Sequence, residues 1–185
     1  YIIVAALEIE TPGLEFFAPV IYTGVGKVNA AIKMCEAILL YRPELVINYG
    51  SAGAVSSNSG LLKVDTFVQW DIDVRGLGIP RGVTPYSGER LPKARGIVLA
   101  SGDTFVTNAV KQLKGLDIAV DIIDMEAYAL HKACEHHKTP FVCYKYVTDA
   151  TDTHAPTDWQ ENVAKGSVVF SQFLDEQYGP SLLLQ

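Results

Sequence analysis

Short apolar runs alternate along the chain with longer amphipathic segments, a pattern that predicts an α/β fold. Several of the apolar runs are unbroken stretches of Val and Ile, which is typical of strands covered on both faces. The predicted strands span residues 2–6, 20–23, 45–49, 66–71, 97–100, 119–123 and 141–147. We therefore expect a single domain over residues 1–185, a three-layer αβα sandwich around a mostly parallel or mixed central sheet.

Three amphipathic segments predict helices. The first covers residues 28–40 and ends before Pro43, and the second begins near Met125. The third begins after Pro156, and its apolar face is predicted to carry Trp159, Val163, Phe170 and Leu174. The Gly- and Pro-rich segment 72–95 is expected to be irregular, and loops of this length in a compact domain are usually functional or flexible.

The composition argues against several classes of function. The net charge of −6 disfavours binding to nucleic acids or to anionic membranes. The apolar runs are too short to cross a bilayer. The cysteines Cys35, Cys134 and Cys143 lie far apart and form no C-x-x-C pair, so we expect neither a disulfide framework nor a metal site. A cytoplasmic protein is the simplest expectation.

Polar residues and glycines follow six of the predicted strands, at the point where each strand ends. The six segments are 8–10, 24–27, 50–53, 101–105, 124–126 and 148–149. In open α/β sheets the ligand binds in the crevice outside the carboxyl ends of the strands. Six segments therefore bring hydroxyls, amides and carboxylates to one edge of the sheet, which predicts a small-molecule site there.

Two of these segments are rich in glycine. Residues 24–27 (GVGK) lack the spacing of a phosphate loop, and Val28 stands where such a loop has its magnesium-binding hydroxyl, so a tight strand-to-helix turn is expected. Residues 50–53 (GSAG) are expected to form a turn as well. This turn is either purely structural or one whose amides approach an anion or a polarised oxygen.

Three acidic segments are the candidates for chemistry. Glu8 and Glu10 are expected on the same side of an extended segment. Residues 124–126 (DME) are expected to place a carboxylate in the first turn of a helix, where the dipole favours its ionised form, as a cap or as an acceptor for ribose hydroxyls. Asp149 follows an apolar strand, so it is either a turn residue or an acid whose pKa is raised by partial burial. An acid together with a base for water is the pair that cleaves glycosidic bonds.

Together these segments resemble the purine nucleoside phosphorylase and nucleosidase superfamily, and most closely its methylthioadenosine/S-adenosylhomocysteine nucleosidases. The matching stretches occur in family order and are 5–10, 24–31, 48–53, 101–105, 124–127 and 148–149. The resemblance implies the fold of nucleoside phosphorylases and hydrolases. It also implies hydrolysis of the N-glycosidic bond of methylthioadenosine, S-adenosylhomocysteine or a related 5′-substituted adenosine, with release of adenine.

The resemblance implies a role for each matching residue. Glu10 is expected to activate the attacking water, Asp149 to protonate N7 of adenine, and Glu126 to bind the ribose hydroxyls. Phe105 is expected to stack on adenine while the Val106 backbone contacts the edge of the base. The other substrate-binding residues implied are Ser51, Gly53, Met125 and Thr148. No metal or organic cofactor is implied, and the expected partners are the nucleoside and a second copy of the chain, which would close the 5′ pocket.

The sequence also departs from the family pattern. The stretch between Glu10 and the next strand is short, Lys145 replaces an arginine, and Thr148 replaces a serine. Arg75 and Arg81 suggest an anionic or polar 5′ substituent, unless they are solvated loop residues.

Two other functions remain open. A phosphorylase of the same fold is disfavoured because Glu8 and Glu10 would repel phosphate. A non-catalytic nucleoside-binding or storage protein is disfavoured because such a protein needs no acid beside the purine.

Overall fold

The computed structural model describes residues 1–178, whose strands form one seven-stranded sheet. The order across the sheet is β2-β1-β3-β6-β5-β4-β7. The strands are β1 (Ile2–Ala5), β2 (Val20–Tyr22), β3 (Val46–Ala54), β4 (Leu61–Gln69), β5 (Ile97–Ser101), β6 (Ile122–Asp124) and β7 (Phe141–Asp149). Each overlaps one of the predicted strands.

The sheet is mixed and partly closed. Five of its pairings are parallel, whereas β3 with β6 and β4 with β7 are antiparallel. Because β3 also pairs with β7, the strands β3, β6, β5, β4 and β7 form a closed ring, and β1 and β2 extend the sheet beyond it. The alternation of apolar runs predicts the strands, but it carries no information on this closure.

Helices cover both faces of the sheet. The described residues form α1 (Lys27–Tyr41), α2 (Ala109–Gln112), α3 (Ala127–His137) and α4 (Ala155–Tyr178). The three predicted helices are confirmed as elements, whereas the single turn of α2 is too short to give a periodic pattern. Within residues 1–178, no helix combines the length and the apolar character that crossing a bilayer requires.

Neighbouring residues of β1 belong to different cores. Ile2 and Val4 pack with Met34 of α1 and Leu130 of α3, whereas Ile3 packs on the other side of the sheet with residues of α4. Alternate side chains of a strand point to opposite faces, so both faces of β1 are buried under helices. The α/β class and the αβα layering that the unbroken apolar runs predict are confirmed.

The glycine-rich segment 50–53 is part of a strand, so its prediction as a turn is wrong. β3 pairs with β1 over residues 46–48 and with β7 over residues 46–53, and its end pairs with β6 through Gly53 and Ala54. Its register with β7 shifts between Ala52 and Gly53. Glycine is needed at this shift because a Cβ on Gly53 would lie 2.5 Å from Thr151 Cγ2 and 2.7 Å from Asp149 Oδ1.

Candidate active site

A cavity of about 210 Å³ opens at the edge of the sheet where the parallel strands end. All nine residues that the sequence predicts for the site lie in its wall: Glu10, Ser51, Gly53, Phe105, Val106, Met125, Glu126, Thr148 and Asp149. They come from segments that are far apart in the chain. The carboxyl ends of the strands therefore bring together one set of side chains around a single ligand-sized space.

Glu10 and Glu8 lie in a short 3-10 helix rather than in an extended segment, so the expectation that they share a side is wrong. The turn exposes Glu8 and buries Glu10, which is 5% exposed. Glu10 Oε1 accepts hydrogen bonds from Ser51 N at 2.9 Å and from Ser51 Oγ at 2.6 Å. Its Oε2 accepts one from Leu7 N at 3.1 Å. Oε2 therefore keeps capacity to accept a further donor on the cavity side.

Asp124 and Glu126, the two carboxylates of residues 124–126, have different positions: one caps α3 and the other lies in the cavity wall. Asp124 Oδ2 accepts a hydrogen bond from Ala127 N at 2.8 Å and caps α3. Glu126 turns away from the helix, and its Oε1 accepts from Gly26 N at 2.9 Å. Gly26 has a φ of 95°, a conformation that favours glycine, and this conformation directs its amide toward Glu126. Glu126 is thus held at the cavity wall by the turn before α1.

Burial decides the protonation of Glu126 more than the helix dipole does. Desolvation, followed by repulsion from Asp124, raises the pKa of Glu126 to about 8. The dipole-based expectation that a carboxylate here is readily ionised is therefore wrong for Glu126. Hydroxyl groups of a bound sugar that donate to this carboxylate would favour its ionised form.

The raised pKa of Glu126 makes folding stability depend on pH. An ordinary glutamate has a pKa of about 4.5, so between about pH 4.5 and 8 the folded state binds this proton more tightly than the unfolded state does. The free energy of unfolding therefore decreases as the pH rises through this range. Glu126→Gln cannot ionise. We expect it to raise Tm by roughly 3–8 °C at about pH 8 and much less at about pH 5.

Thermal unfolding followed by circular dichroism at the two pH values measures this effect. Glu36→Gln, on the exposed face of α1, is the matched control and should show no such pH-dependent gain. The same difference in Tm between Glu126→Gln and the unmodified protein at both pH values would contradict the raised pKa.

A buried lysine lies behind the acidic part of the wall. Lys145 Nζ is 2.8 Å from Asp124 Oδ2, and the two side chains are 2% and 1% exposed. A Cβ on Gly50 would lie 3.1 Å from Lys145 Nζ and 3.4 Å from Glu10 Oε1, so the amine also lies close to Glu10. Burial lowers the pKa of Lys145, but the carboxylates around it, Asp124 foremost, raise it overall. Lys145 is therefore a charged counter-ion for a group of buried acids.

Asp149 ends β7 on the other part of the wall. Its Oδ1 accepts a hydrogen bond from Thr151 N at 3.0 Å, and its Oδ2 lies 3.0 Å from Thr148 Oγ1. Burial raises the pKa of Asp149, against the opposing effect of these hydrogen bonds. A Cβ on Gly53 would lie 2.7 Å from Asp149 Oδ1, so only glycine leaves room for the acid. A carboxyl with a raised pKa at a cavity is suited to donate a proton.

The backbone beside Asp149 is strained. Thr151 has a φ of 52°, which is uncommon for a β-branched residue. Its Oγ1 donates a hydrogen bond to Ala54 O at 2.8 Å, and its side chain is buried. These contacts hold the Thr151 amide in the orientation that fixes one oxygen of Asp149.

The rest of the wall is largely apolar. Leu7, Val25, Val106 and Met125 line it together with Phe105, whose side chain is 44% exposed. An exposed aromatic ring at the mouth of a cavity offers a flat surface for a planar heteroaromatic base. Acids at the base of the cavity and apolar groups at its mouth suit a nucleoside.

Sequence reasoning misses Trp159 as a site residue. The helical spacing places it with Val163 and Phe170 on the core face of α4, yet its indole lines the cavity and its Nε1 donates to Ser51 Oγ at 2.9 Å. A tryptophan near the start of a helix that follows a site aspartate is the only sequence signal. Lys145 and Thr151 are missed for a similar reason, because their partners are distant in sequence.

Arg75 and Arg81 do not belong to the cavity wall, which favours the alternative that they are loop residues. Arg75 pairs with Asp73 through two short hydrogen bonds at the surface. Arg81 donates to the carbonyl oxygens of Trp70 and Lys114, and its guanidinium lies 5.5 Å from the centroid of the Trp70 ring. Arg81 thus holds the long loop against the domain, whereas the ion pair of Arg75 lies within the loop.

The structure contains no ready metal site in the part that is described. Within residues 1–178, no group of three or more His, Cys, Asp and Glu side chains could hold a metal ion.

The closed mixed sheet, with its acids at the carboxyl ends of the strands, defines a fold of the nucleoside phosphorylase and hydrolase type. The chain belongs to the phosphorylase superfamily, whose family model matches residues 83–176. A 5′-methylthioadenosine/S-adenosylhomocysteine nucleosidase of Buchnera aphidicola subsp. Acyrthosiphon pisum (strain Tuc7) is 30% identical to it over 181 residues, covering 83% of this chain and 76% of the relative.

Solved structures show the same fold at lower identity. The 5′-methylthioadenosine/S-adenosylhomocysteine nucleosidase from Neisseria meningitidis, in complex with methylthio-immucillin-A, has a TM-score of 0.83 at 22% identity and covers 96% of this chain and 97% of that one. Futalosine hydrolase of Helicobacter pylori strain 26695 has a TM-score of 0.80 at 21% identity, with 94% of each chain covered. The fold is thus common to enzymes whose names indicate different substrates.

Proposed function

We propose that this protein hydrolyses the N-glycosidic bond of a 5′-substituted adenosine and releases adenine. The observation that carries this proposal is the meeting of three carboxyl groups, Glu10, Glu126 and Asp149, with the exposed ring of Phe105 around one cavity. Each carboxyl is held differently, so each is suited to a different step.

Asp149 supplies the proton for the leaving group. Adenine leaves poorly as an anion, and protonation of N7 converts it into a neutral leaving group. Burial favours the protonated form of Asp149, and Thr151 N fixes one of its oxygens. Phe105 stacks on the base and the Val106 backbone contacts its edge, which holds N7 toward the acid.

Glu126 and Glu10 act on the sugar side. As the bond to adenine breaks, positive charge develops on the ribosyl ring, and the carboxylate that binds the ribose hydroxyls stabilises this charge. Glu10, oriented by Ser51 and Leu7, accepts a proton from water through its free capacity on Oε2. Water then attacks C1′ of the ribose, and the products are adenine and the free sugar.

The charges of the cavity favour water over phosphate as the nucleophile. Among the described residues of the wall, every ionisable side chain is an acid: Glu10, Asp124, Glu126 and Asp149. A phosphate anion entering this space would find no cationic side chain in the wall to bind it. The raised pKa of Asp149 also supports an enzyme over a storage protein, because binding alone does not need a proton donor.

The same charges favour an uncharged 5′ substituent. Leu7, Val25 and Met125 give the wall an apolar part that suits a thioether, and the two loop arginines that could have paired with an anion lie outside it. Methylthioadenosine therefore fits the cavity better than an adenosine with a 5′-phosphate.

Product analysis tests the proposed reaction. Purified protein is mixed with methylthioadenosine, S-adenosylhomocysteine, adenosine or AMP, with and without millimolar phosphate, and the adenine and the sugar products are separated by chromatography. We expect adenine and free methylthioribose at a rate that phosphate does not change, and kcat/KM for AMP about 100-fold or more below that for methylthioadenosine. Formation of a sugar 1-phosphate, or binding without adenine release, would contradict the proposal.

A homodimer is the second part of the proposal. Val28, Ile32 and Leu39 form an exposed apolar stripe on α1, with exposed fractions of 68%, 54% and 66%. Val25 continues this stripe into the cavity wall. A second copy packed on α1 would bury the stripe and border the mouth of the cavity. A monomer in sedimentation equilibrium under assay conditions would contradict this part alone.

A further inference from the structure

The indole of Trp159 begins a chain of hydrogen bonds that ends on Glu10. Trp159 Nε1 donates to Ser51 Oγ at 2.9 Å, and Ser51 Oγ lies 2.6 Å from Glu10 Oε1. The indole N–H is a donor only, whereas a serine hydroxyl has one proton and can also accept. Because Trp159 donates to Ser51, the serine proton is directed to Glu10.

The direction of the Ser51 hydroxyl proton affects how the carboxylate of Glu10 is oriented. Ser51 donates twice to Oε1, once from its amide and once from its hydroxyl. Hydrogen bonds to a carboxylate are stronger than those between neutral groups, so they hold the group in one orientation. The other oxygen, Oε2, is then left with Leu7 N and free capacity toward the cavity.

We infer that Trp159 is a positioning residue for the water-activating Glu10, and that it acts through the direction of the Ser51 hydroxyl. This inference rests on the proposed role of Glu10 in the reaction. Without the indole N–H, the Ser51 hydroxyl is free to rotate toward other acceptors, and Glu10 loses one of the three donors that orient it.

The packing of α4 does not depend on this hydrogen bond. Val163, Phe170 and Leu174 are buried beneath the helix, and Asn162 Nδ2 donates to Thr148 O at 2.9 Å. These contacts hold α4 on the sheet, whereas Trp159 is only half-buried and lines the cavity. Its N–H can therefore be removed while the position of the helix is kept.

A double-mutant cycle isolates the effect of the indole N–H. The variants are Trp159→Phe, which keeps an aromatic ring but removes the donor, Ser51→Ala, and the two combined. Steady-state kinetics with methylthioadenosine give kcat and KM for each, and circular dichroism with thermal unfolding verifies that each is folded. We expect Trp159→Phe to lower kcat about three- to tenfold in the unmodified protein and by less than about twofold in the Ser51→Ala background.

Asn162→Ala is the matched control, because it loosens the start of α4 without touching Ser51. Its effect should be the same fold-change in both backgrounds. An equal loss of kcat on Trp159→Phe in both backgrounds, a change in KM alone, or no change in kcat would each overturn the positioning role. A Glu10→Gln enzyme with full activity would instead overturn the proposed role of Glu10, so the two failures are distinguishable.

Discussion

Asp149→Asn is expected to lower kcat about 10²- to 10⁴-fold while KM changes little. The asparagine side chain has nearly the same shape and can keep the hydrogen bond from Thr151 N, so the fold and the cavity are preserved. It has no acidic proton for N7, and adenine must then leave as an anion. Steady-state rates of adenine release, with circular dichroism as the test of folding, measure the loss.

The pH dependence of kcat gives a second test of Asp149 as the acid. Burial raises the pKa of Asp149, and only the protonated form donates, so kcat falls as the pH rises through that pKa. This alkaline limb should be absent from Asp149→Asn. Asp152 is an exposed neighbour whose repulsion raises the pKa of Asp149. Asp152→Asn should therefore stay active, and its decrease in kcat should occur at a slightly lower pH. An unchanged limb in Asp149→Asn would assign it to another group.

Glu10→Gln is expected to produce a loss of similar size, about 10²- to 10⁴-fold in kcat. The amide oxygen can still accept from Ser51, so the side chain should stay in place, but it cannot take a proton from water. Glu8→Gln is the matched control, because Glu8 is exposed in the same 3-10 helix and should retain normal activity.

Binding separates the role of Glu10 in catalysis from a role in holding the substrate. Equilibrium binding of methylthioadenosine to Glu10→Gln should be within a few-fold of the unmodified protein. A large loss of affinity with kcat preserved would place Glu10 among the substrate ligands instead of at the attacking water.

The elements of the fold could be predicted because their signals are local. The apolar runs of β1, β5 and β7 and the amphipathic stripe of α1 are visible within short windows of sequence. The carboxyl ends of the strands are then known, and the acidic segments 8–10, 124–126 and 148–149 follow from the polar residues at those ends. The choice of Glu10, Glu126 and Asp149 within them comes from the family resemblance. The closure of the sheet depends on the pairing of β3 with β7, which no local pattern encodes.

The errors in the site come from contacts between distant residues. The bend of β3 at 50–53 looks like a turn in the sequence, since glycines are common to both. Trp159 fits the core stripe of α4 by periodicity, and its place in the cavity wall depends on Ser51, which is distant in sequence. The sequence suggests that Arg81 binds an anion, but in the structure its N–H groups donate hydrogen bonds to two backbone carbonyl oxygens.

The comparison of two leaving groups tests the role of Asp149 most directly. p-Nitrophenyl β-D-ribofuranoside has an O-glycosidic bond to C1′ of the ribose instead of an N-glycosidic one, and its nitrophenolate leaves without a proton. Initial rates of Asp149→Asn on this substrate and on methylthioadenosine are each divided by those of the unmodified protein. We expect a loss of more than about 100-fold on methylthioadenosine and less than about tenfold on the nitrophenyl riboside, whereas Glu10→Gln should lose activity on both. An equal loss of Asp149→Asn on the two substrates would contradict Asp149 as the acid that protonates the leaving base.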